Sequence, residues 1–241
     1  MEIDGLVLRL IPIKEQDAMM HVLTCNGIMS IFARRVMSHK SELHEATQPF
    51  CRSSFTLSEG TQGGLRLRQA KLIQAPPLVE NSLTAYATLE LISETLTHLE
   101  GDVAWNDLVE LTYMTLAQLR ENRHIAIAAV FFLAKLLSYG GWLPEVNGCV
   151  ICKAKSDIVA FDHQAGGFVC RKHYNPETST IINQEISRAI RVVFSAPSLQ
   201  IALPYLDDKL TEPLLNLLGA YYHMHLGREL RSIRMILASI H

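Results

Sequence analysis

The spacing of apolar residues along the chain changes near residue 76. Before that point apolar runs are short, and in residues 51–58 (CRSSFTLS) every second side chain belongs to the same face. A period of two is typical of a strand with one buried face. Residues 64–73 follow the same period until it slips at Gln69-Ala70, as a β-bulge would cause. This part of the chain is therefore predicted to be β-structure.

The apolar runs and the turn residues between them predict five strands, at residues 5–11, 18–24, 28–34, 51–58 and 64–73. Cys25-Asn26-Gly27 separates the second strand from the third with a tight-turn sequence. Five short strands within 75 residues indicate a small closed or partly open barrel. Pro76-Pro77 ends the pattern, because proline cannot donate to a strand ladder. We place the domain boundary there, with one domain at 1–77 and a second at 78–241.

Beyond the prolines the spacing becomes helical. It predicts helices at 83–96, with Asn81 or Ser82 as N-cap, and at 103–121, 124–139, 183–195 and 211–238. The third is apolar on nearly every side, which places it at the centre of the helical domain. Gly140-Gly141 can supply its left-handed cap, and Gly219 and Gly227 mark close packing or a break in the last helix.

Four metal-binding residue types interrupt these helices at the spacing C-x2-C-x17-C-x2-H. They are Cys149, Cys152, Cys170 and His173. Two such knuckles supply the four tetrahedral ligands of a closed structural site, and thiolate with imidazole favours zinc. Residues 158–161 and 167–169 are predicted to form a hairpin that returns the second knuckle to the first. We expect a zinc-binding insert at about 146–180, with a structural role.

Two alternatives to this zinc site remain open. A redox pair at Cys149 and Cys152 would need no second knuckle. His163 can replace His173 as the fourth ligand, although it lies at the expected tip of the hairpin.

Composition narrows the class of protein further. With 49% apolar residues the chain can bury a core, and no stretch resembles a membrane span. Glu2 and Asp4 do not fit a secretory signal, and five cysteines do not fit a disulfide framework, so we expect a cytoplasmic protein. The net charge of −2 hides a basic excess in residues 1–75, where nine Lys/Arg face seven Asp/Glu.

The sequence contains none of the common linear motifs of catalysis. A Walker A loop, a dinucleotide-binding glycine motif and a nucleophile elbow are all missing, as is the H-x-E of zinc deaminases. We therefore expect a binding protein and not an enzyme. A hydrolase or deaminase with an unrecognised site remains a rival hypothesis.

The order of barrel, helices and zinc insert resembles the RecO family of bacterial recombination mediators. The most specific segment is 132–152 (FLAKLLSYGGWLPEVNGCVIC), with an apolar helix, a Gly-aromatic-x-Pro turn and the first cysteine pair. Further matching segments are 5–24, Ala33-Arg34-Arg35, Lys40-Ser41, Gln48-Pro49-Phe50 and 166–170. The chain departs from the family at His173, where a fourth cysteine is frequent, and at Arg35, where a glycine is common.

The resemblance implies an α+β multidomain protein, with an N-terminal OB-fold barrel followed by the α-helical domain with its zinc-knuckle insert. It implies DNA repair and homologous recombination through binding of single- and double-stranded DNA and annealing of complementary strands. The expected partners are RecR and the C-terminal tail of the single-stranded-DNA-binding protein, and together they load the recombinase onto coated strands at the nucleoid. The rival from another class is a zinc-stabilised DNA-binding transcription regulator.

Basic residues are the candidates for contacts with DNA phosphates and with the tail of the single-stranded-DNA-binding protein. Because OB barrels follow a nucleic-acid backbone with cations, we expect phosphate contacts from Arg34, Arg35, Lys40, Arg66, Arg68 and Lys71. The barrel segment has few aromatic residues, so we expect binding to be electrostatic and independent of sequence. Near the C-terminus, Arg228, Arg231 and Arg234 recur every three residues on the last predicted helix, where they can receive an acidic tail. A solvated surface is the alternative in both places.

Overall fold

The first five strands close into a barrel. The structure is a computed structural model and describes residues 1–60, 63–79, 82–101 and 103–240. The barrel strands are β1 (Glu2–Pro12), β2 (Ala18–Thr24), β3 (Gly27–Ala33), β4 (Arg52–Glu59) and β5 (Leu65–Gln74). Their order around the barrel is β1-β2-β3-β5-β4, and β4 pairs with β1 to close it. Of the described strand pairs in the barrel, β3 with β5 is parallel and the others are antiparallel.

Alternation along each strand divides the barrel into an apolar interior and a polar exterior. Met20, Val22, Ile31 and Phe55 are fully buried inside, while the side chains between them point outward. The predicted slip in the fifth strand is confirmed, because the β4–β5 register shifts between Thr56 and Leu57. The extra residue on β5 there moves the second half of that strand relative to its partner.

The helical part contains α1 (Leu83–Leu96), α3 (Ile125–Tyr139), α4 (Gln184–Ser195), a short α5 (Leu199–Ala202), α6 (Thr211–Leu226) and α7 (Arg231–Ser239). Ser82 caps α1 by accepting from the Ala85 N–H, whereas Asn81 lies outside the described residues. Helix α3 is central as predicted, since eleven of its fifteen residues are buried. Across the described ranges, no helix combines the length and apolar character that a membrane crossing requires.

One helix does not follow the predicted partition. The chain forms two compact units, Met1–Glu80 with Trp105–Arg120, and Asn81–Ala104 with Glu121–His241. Helix α2 (Trp105–Glu121) therefore belongs with the barrel, although the sequence prediction assigned everything after 77 to the helical domain. Its side chains explain this: the Arg52 guanidinium lies 5.0 Å from the Tyr113 ring centre, and Arg120 donates to the Ala75 carbonyl at 2.6 Å.

The predicted helix at 211–238 is wrong, because the structure has two helices there. Gly227 ends α6 with φ of 66° and donates its N–H to the His223 carbonyl, as a left-handed cap does. Gly219 serves close packing instead, since a Cβ on it would lie 2.7 Å from Cδ1 of Ile233 on α7. The helix end thus requires a glycine at 227, and the close packing of α6 on α7 requires one at 219.

Between α3 and α4 the chain forms the insert. Its three strands are β6 (Ile158–Asp162), β7 (Gly167–Cys170) and β8 (Ser179–Ile181), in the order β7-β6-β8. The β6–β7 hairpin is the predicted one, while β8 was not foreseen.

Candidate metal centre and nucleic-acid interface

Four side chains of the insert converge on one point. The thiol of Cys149 lies 3.5 Å from Nδ1 of His173, and Cys170 lies 3.4 Å from the same nitrogen. The Cys152 and Cys170 sulfurs are 3.8 Å apart, and all four ligand atoms lie within 4.8 Å of one another. Tetrahedral ligands around zinc, with bonds of about 2.3 Å to sulfur and 2.0 Å to nitrogen, stand about 3.5–3.8 Å apart. The cluster therefore has the size and donor types to hold such an ion.

Local backbone structure places each knuckle. In the first, the Cys149 N–H donates to the Ala154 carbonyl and the Lys153 N–H donates to the Cys149 carbonyl, both at 2.8 Å. Lys153 adopts φ of 62° to close this tight turn. In the second, Cys170 ends β7 and a single 3₁₀ turn, Arg171–His173, delivers the histidine.

Backbone hydrogen bonds then join the two knuckles. The Val150 N–H donates to the Phe168 carbonyl at 2.7 Å, and Glu145 exchanges hydrogen bonds with both ends of Gly166–Phe168. A Cβ on Gly167 would lie 2.9 Å from the Glu145 nitrogen, so glycine permits this approach.

The environment of Cys149 favours its thiolate form. Burial raises the pKa of this thiol, but hydrogen bonds from the backbone of Cys152, Cys170 and Ile151 outweigh the burial and bring the pKa to about 6. Thiolate is the metal-binding form of cysteine. The pKa of Cys152 is raised: a backbone hydrogen bond from Ala154 lowers it, but burial and the neighbouring Cys149 and Cys170 thiols outweigh that bond. A cation at neutral pH therefore meets Cys149 largely as thiolate, while Cys152 must still lose its proton.

His163 is not part of this cluster. Its Nε2 lies 2.8 Å from Thr180 Oγ1, the residue is 7% exposed, and its ring contacts those of Phe161 and Tyr221. Among the described residues, His173 is the histidine that the fold brings to the cysteines.

The insert contacts the helical part through residues that the sequence analysis did not single out. Arg191 on α4 donates to the Val146 carbonyl at 2.9 Å and lies 4.9 Å from the Phe168 ring centre. Tyr221 on α6 packs edge-on against Phe161 at 5.2 Å. An isolated arginine in a helical segment carries no sequence signal for this role, because its partners lie about 20 to 45 residues away along the chain.

On the barrel, five of the six predicted DNA-binding residues line one groove of about 980 Å³. Those five are Arg34, Arg35, Lys40, Arg68 and Lys71. The first three follow β3, and the other two project from the outer side of β5. Within the described ranges, the carboxylate ion pairs involve other cations. The weak basic excess of this part of the chain is thus concentrated on one surface.

Two acidic residues share the groove and were missed from the sequence. Glu2 lines it because β1 pairs with β4, with Glu2 opposite Thr56. Glu42 lies two residues after Lys40 in the same segment. Barrel closure brings Glu2 there, and no local pattern reveals it.

Arg35 has an unusual backbone. Its φ is 58°, in the left-handed region that a glycine adopts easily. The Arg35 N–H donates to Asp17 Oδ1 at 2.9 Å, which holds the turn in this conformation.

Arg66, the sixth candidate, lies outside the groove. Its guanidinium carbon is 5.6 Å from the centre of the Phe32 ring, and the two residues are direct partners across β3 and β5. Arg66 therefore does not line the groove, although it lies on the same strand as Arg68, which does.

The three C-terminal arginines do not form the predicted stripe. Arg228 lies between α6 and α7. The backbone N–H of Arg231 donates to Glu94 Oε1 at 3.1 Å, and the side chain of Arg234 pairs with Glu229. Only Arg234 borders a groove of about 530 Å³ between α6 and α7 in the described part of the chain. Arg228 precedes α7, which begins at Arg231, so only Arg231 and Arg234 of the three share a helix and the predicted stripe along one helical face is not formed.

Comparisons with known proteins cover both parts of the chain. Residues 1–76 match the family described as "Recombination protein O N terminal", and residues 80–234 match "Recombination protein O C terminal". A curated "DNA repair protein RecO" from Bacillus mycoides (strain KBAB4) is 25% identical over 240 residues, which is 98% of this chain and 96% of the relative. Proteins of the same name from Bacillus cereus (strain B4264) and Bacillus anthracis (strain CDC 684 / NRRL 3495) align equally well.

Proposed function

Because the chain belongs to the recombination protein O family of DNA repair proteins, we propose that it binds single- and double-stranded DNA and anneals complementary strands. With RecR, it helps to load the recombinase onto single strands coated by the single-stranded-DNA-binding protein. Binding and annealing account for this activity without a catalytic step.

The basic groove is the observation that carries the proposal. Five cations face two carboxylates there, on the outside of a closed five-stranded barrel. Phosphates bind such a surface by releasing counterions, which requires no base recognition. Both of two complementary strands can therefore occupy the groove, which annealing requires.

We propose that the metal is zinc and that its role is structural. Three cysteines and one histidine are typical of closed zinc sites, in which no position remains for a reactive water. Two of the ligands, Cys149 and Cys170, are buried in the small apolar core of the insert with Ala160 and Val169. A core of this size is typical of domains that a metal stabilises.

Tail binding by Arg228, Arg231 and Arg234 remains a proposal for the helical part. Arg228 is exposed, whereas Arg234 would have to exchange Glu229 for the carboxylate of the tail. A tail peptide should therefore lose affinity in Arg228→Ala, and Lys155→Ala offers a control with an exposed cation elsewhere.

Annealing of complementary strands tests the main proposal. The purified protein should accelerate annealing, and its DNA affinity should fall steeply as salt rises. If the protein neither accelerates annealing nor loses DNA affinity as salt rises, the proposal that it is a recombination mediator is contradicted. A strong preference for one duplex sequence would instead support the transcription regulator.

A further inference from the structure

Four outward-facing residues form a continuous row across the barrel. Strand register places Ile11 opposite Met19, Met19 opposite Phe32, and Phe32 opposite Arg66. Their neighbours Ala18, Met20, Ile31 and Ala33 are fully buried, so the row lies on the outside. Ile11 is 40% exposed, and Met19 and Phe32 are partly exposed. We call these four residues the outer row.

Phe32 is the aromatic residue available in this row. The other two phenylalanines of residues 1–77, Phe50 and Phe55, are 6% and 0% exposed. Arg66 lies over the Phe32 ring, so an aromatic ring and a planar cation stand next to each other on the barrel exterior. A nucleobase stacks on surfaces of this kind, and every base has a face that fits.

The outer row runs directly into the basic groove. Arg68 lies two residues after Arg66 on β5, about 7 Å along the strand, and Arg34 directly follows the last residue of β3, two positions after Phe32. A strand with its phosphates in the groove therefore passes within reach of Phe32. In a duplex the bases are already stacked on each other and cannot reach it.

We propose that Phe32, flanked by Arg66, is a base-stacking subsite for single-stranded DNA. This inference rests on the proposed function, since the groove must first hold the phosphates. Stacking on Phe32 adds an apolar contribution to the binding free energy of single strands, and duplex DNA lacks this contribution. The expectation of purely electrostatic binding then holds for duplex and not for single strands.

The test compares three ligands of equal length: a single-stranded oligonucleotide, an abasic strand with the same phosphates, and a duplex. Titrations use the full chain and Phe32→Leu, which keeps an apolar side chain on the barrel. Phe32→Leu should weaken binding of the base-containing strand by about 5- to 150-fold. Its affinity for the abasic strand and the duplex should change less than about twofold, because phosphate contacts are retained.

A rescue variant separates stacking from folding. Phe32→Tyr retains the aromatic face, and it should bind the base-containing strand like the unchanged protein. Thermal unfolding of both variants checks that the barrel is intact. Equal effects of Phe32→Leu on all three ligands, or no effect on any, would overturn the subsite while leaving the groove in place. If the unchanged protein binds none of the ligands, the proposed function fails together with the subsite.

Discussion

The sulfur of Cys149 and Nδ1 of His173 lie 3.5 Å apart although 24 residues separate them in the chain. With Cys152 and Cys170 they complete a four-ligand cluster, so an ion there would join both knuckles of the insert. Closed metal sites couple binding to folding. Chelation or Cys149→Ser should therefore lower the free energy of unfolding by about 3 kcal/mol or more. Thermal unfolding and zinc analysis of the purified protein measure this.

Cys25→Ser is the matched control for this loss. Cys25 is an exposed thiol at the β2–β3 turn and lies outside the cluster. This variant should retain both metal and stability. A protein purified without a stoichiometric metal, and as stable after chelation as before, would contradict a structural ion.

Neutralising the groove should lower the salt dependence of DNA binding. Lys40→Gln and Lys71→Gln each remove one groove cation. Each should reduce the slope of log affinity against log salt by about one, for single-stranded and duplex DNA alike. Lys155→Gln, on the insert, should leave the slope unchanged. Unaltered slopes in both groove variants would exclude the groove as the phosphate surface.

Arg35→Gly should separate stability from DNA binding. Glycine removes the strain of φ at 58°, so the free energy of unfolding should rise by about 1 kcal/mol. The same change removes a groove cation and should weaken DNA binding. Arg34→Gly removes the neighbouring cation without a positive φ to relieve, so it should weaken binding without the gain in stability. Denaturant unfolding and DNA titration of both variants test this contrast.

Stability should fall on acidification because of a buried histidine. Burial lowers the pKa of His163 below 6.5; Asp162 opposes this shift and His225 adds to it. Burial also lowers the pKa of His225, whose ring packs on Tyr221. Between the lowered pKa and 6.5 the unfolded chain binds more protons, so stability rises with pH there and is lost as pH falls through this window.

Denaturant unfolding from pH about 8 to about 5.5 measures the effect, with metal content determined at each pH. His163→Gln can still hydrogen-bond with Thr180 and should flatten the profile in the window. His223→Gln changes an exposed histidine on α6 and should keep the slope of the unchanged protein. Equal slopes in all three proteins would assign the acid sensitivity to other groups.

Local patterns were sufficient for most elements. Short apolar runs bounded by turn residues predicted the first three barrel strands. Alternation predicted β4, β5 and the bulge in β5, because one buried face imposes that period. The cysteine spacing and the hairpin between the knuckles predicted the cluster, since both are short-range features. Short β8 escaped prediction because its pairing with β6, and not its own three residues, makes it a strand.

Long-range packing decided what the sequence left open. Helix α2 has ordinary helical spacing, and only contacts such as Arg52 with Tyr113 assign it to the barrel unit. The spacing of the C-terminal arginines predicted a single helical face, but Arg228 lies in the segment between α6 and α7, and only Arg231 and Arg234 lie on α7. Arg66 and Arg68 share a strand and a face, yet strand pairing gives one of them Phe32 as neighbour and the other the groove.

The position of α2 also bears on how the protein is made. The barrel unit needs residues up to Arg120, so it is incomplete until α1 of the other unit has already been synthesised. Domains usually fold as they emerge, beginning at the N-terminus. Here the two units are interleaved along the chain, and neither is released as an uninterrupted segment. A fragment ending at residue 77 would carry all five strands but lack a helix of its own unit, and biosynthesis passes through that same incomplete state.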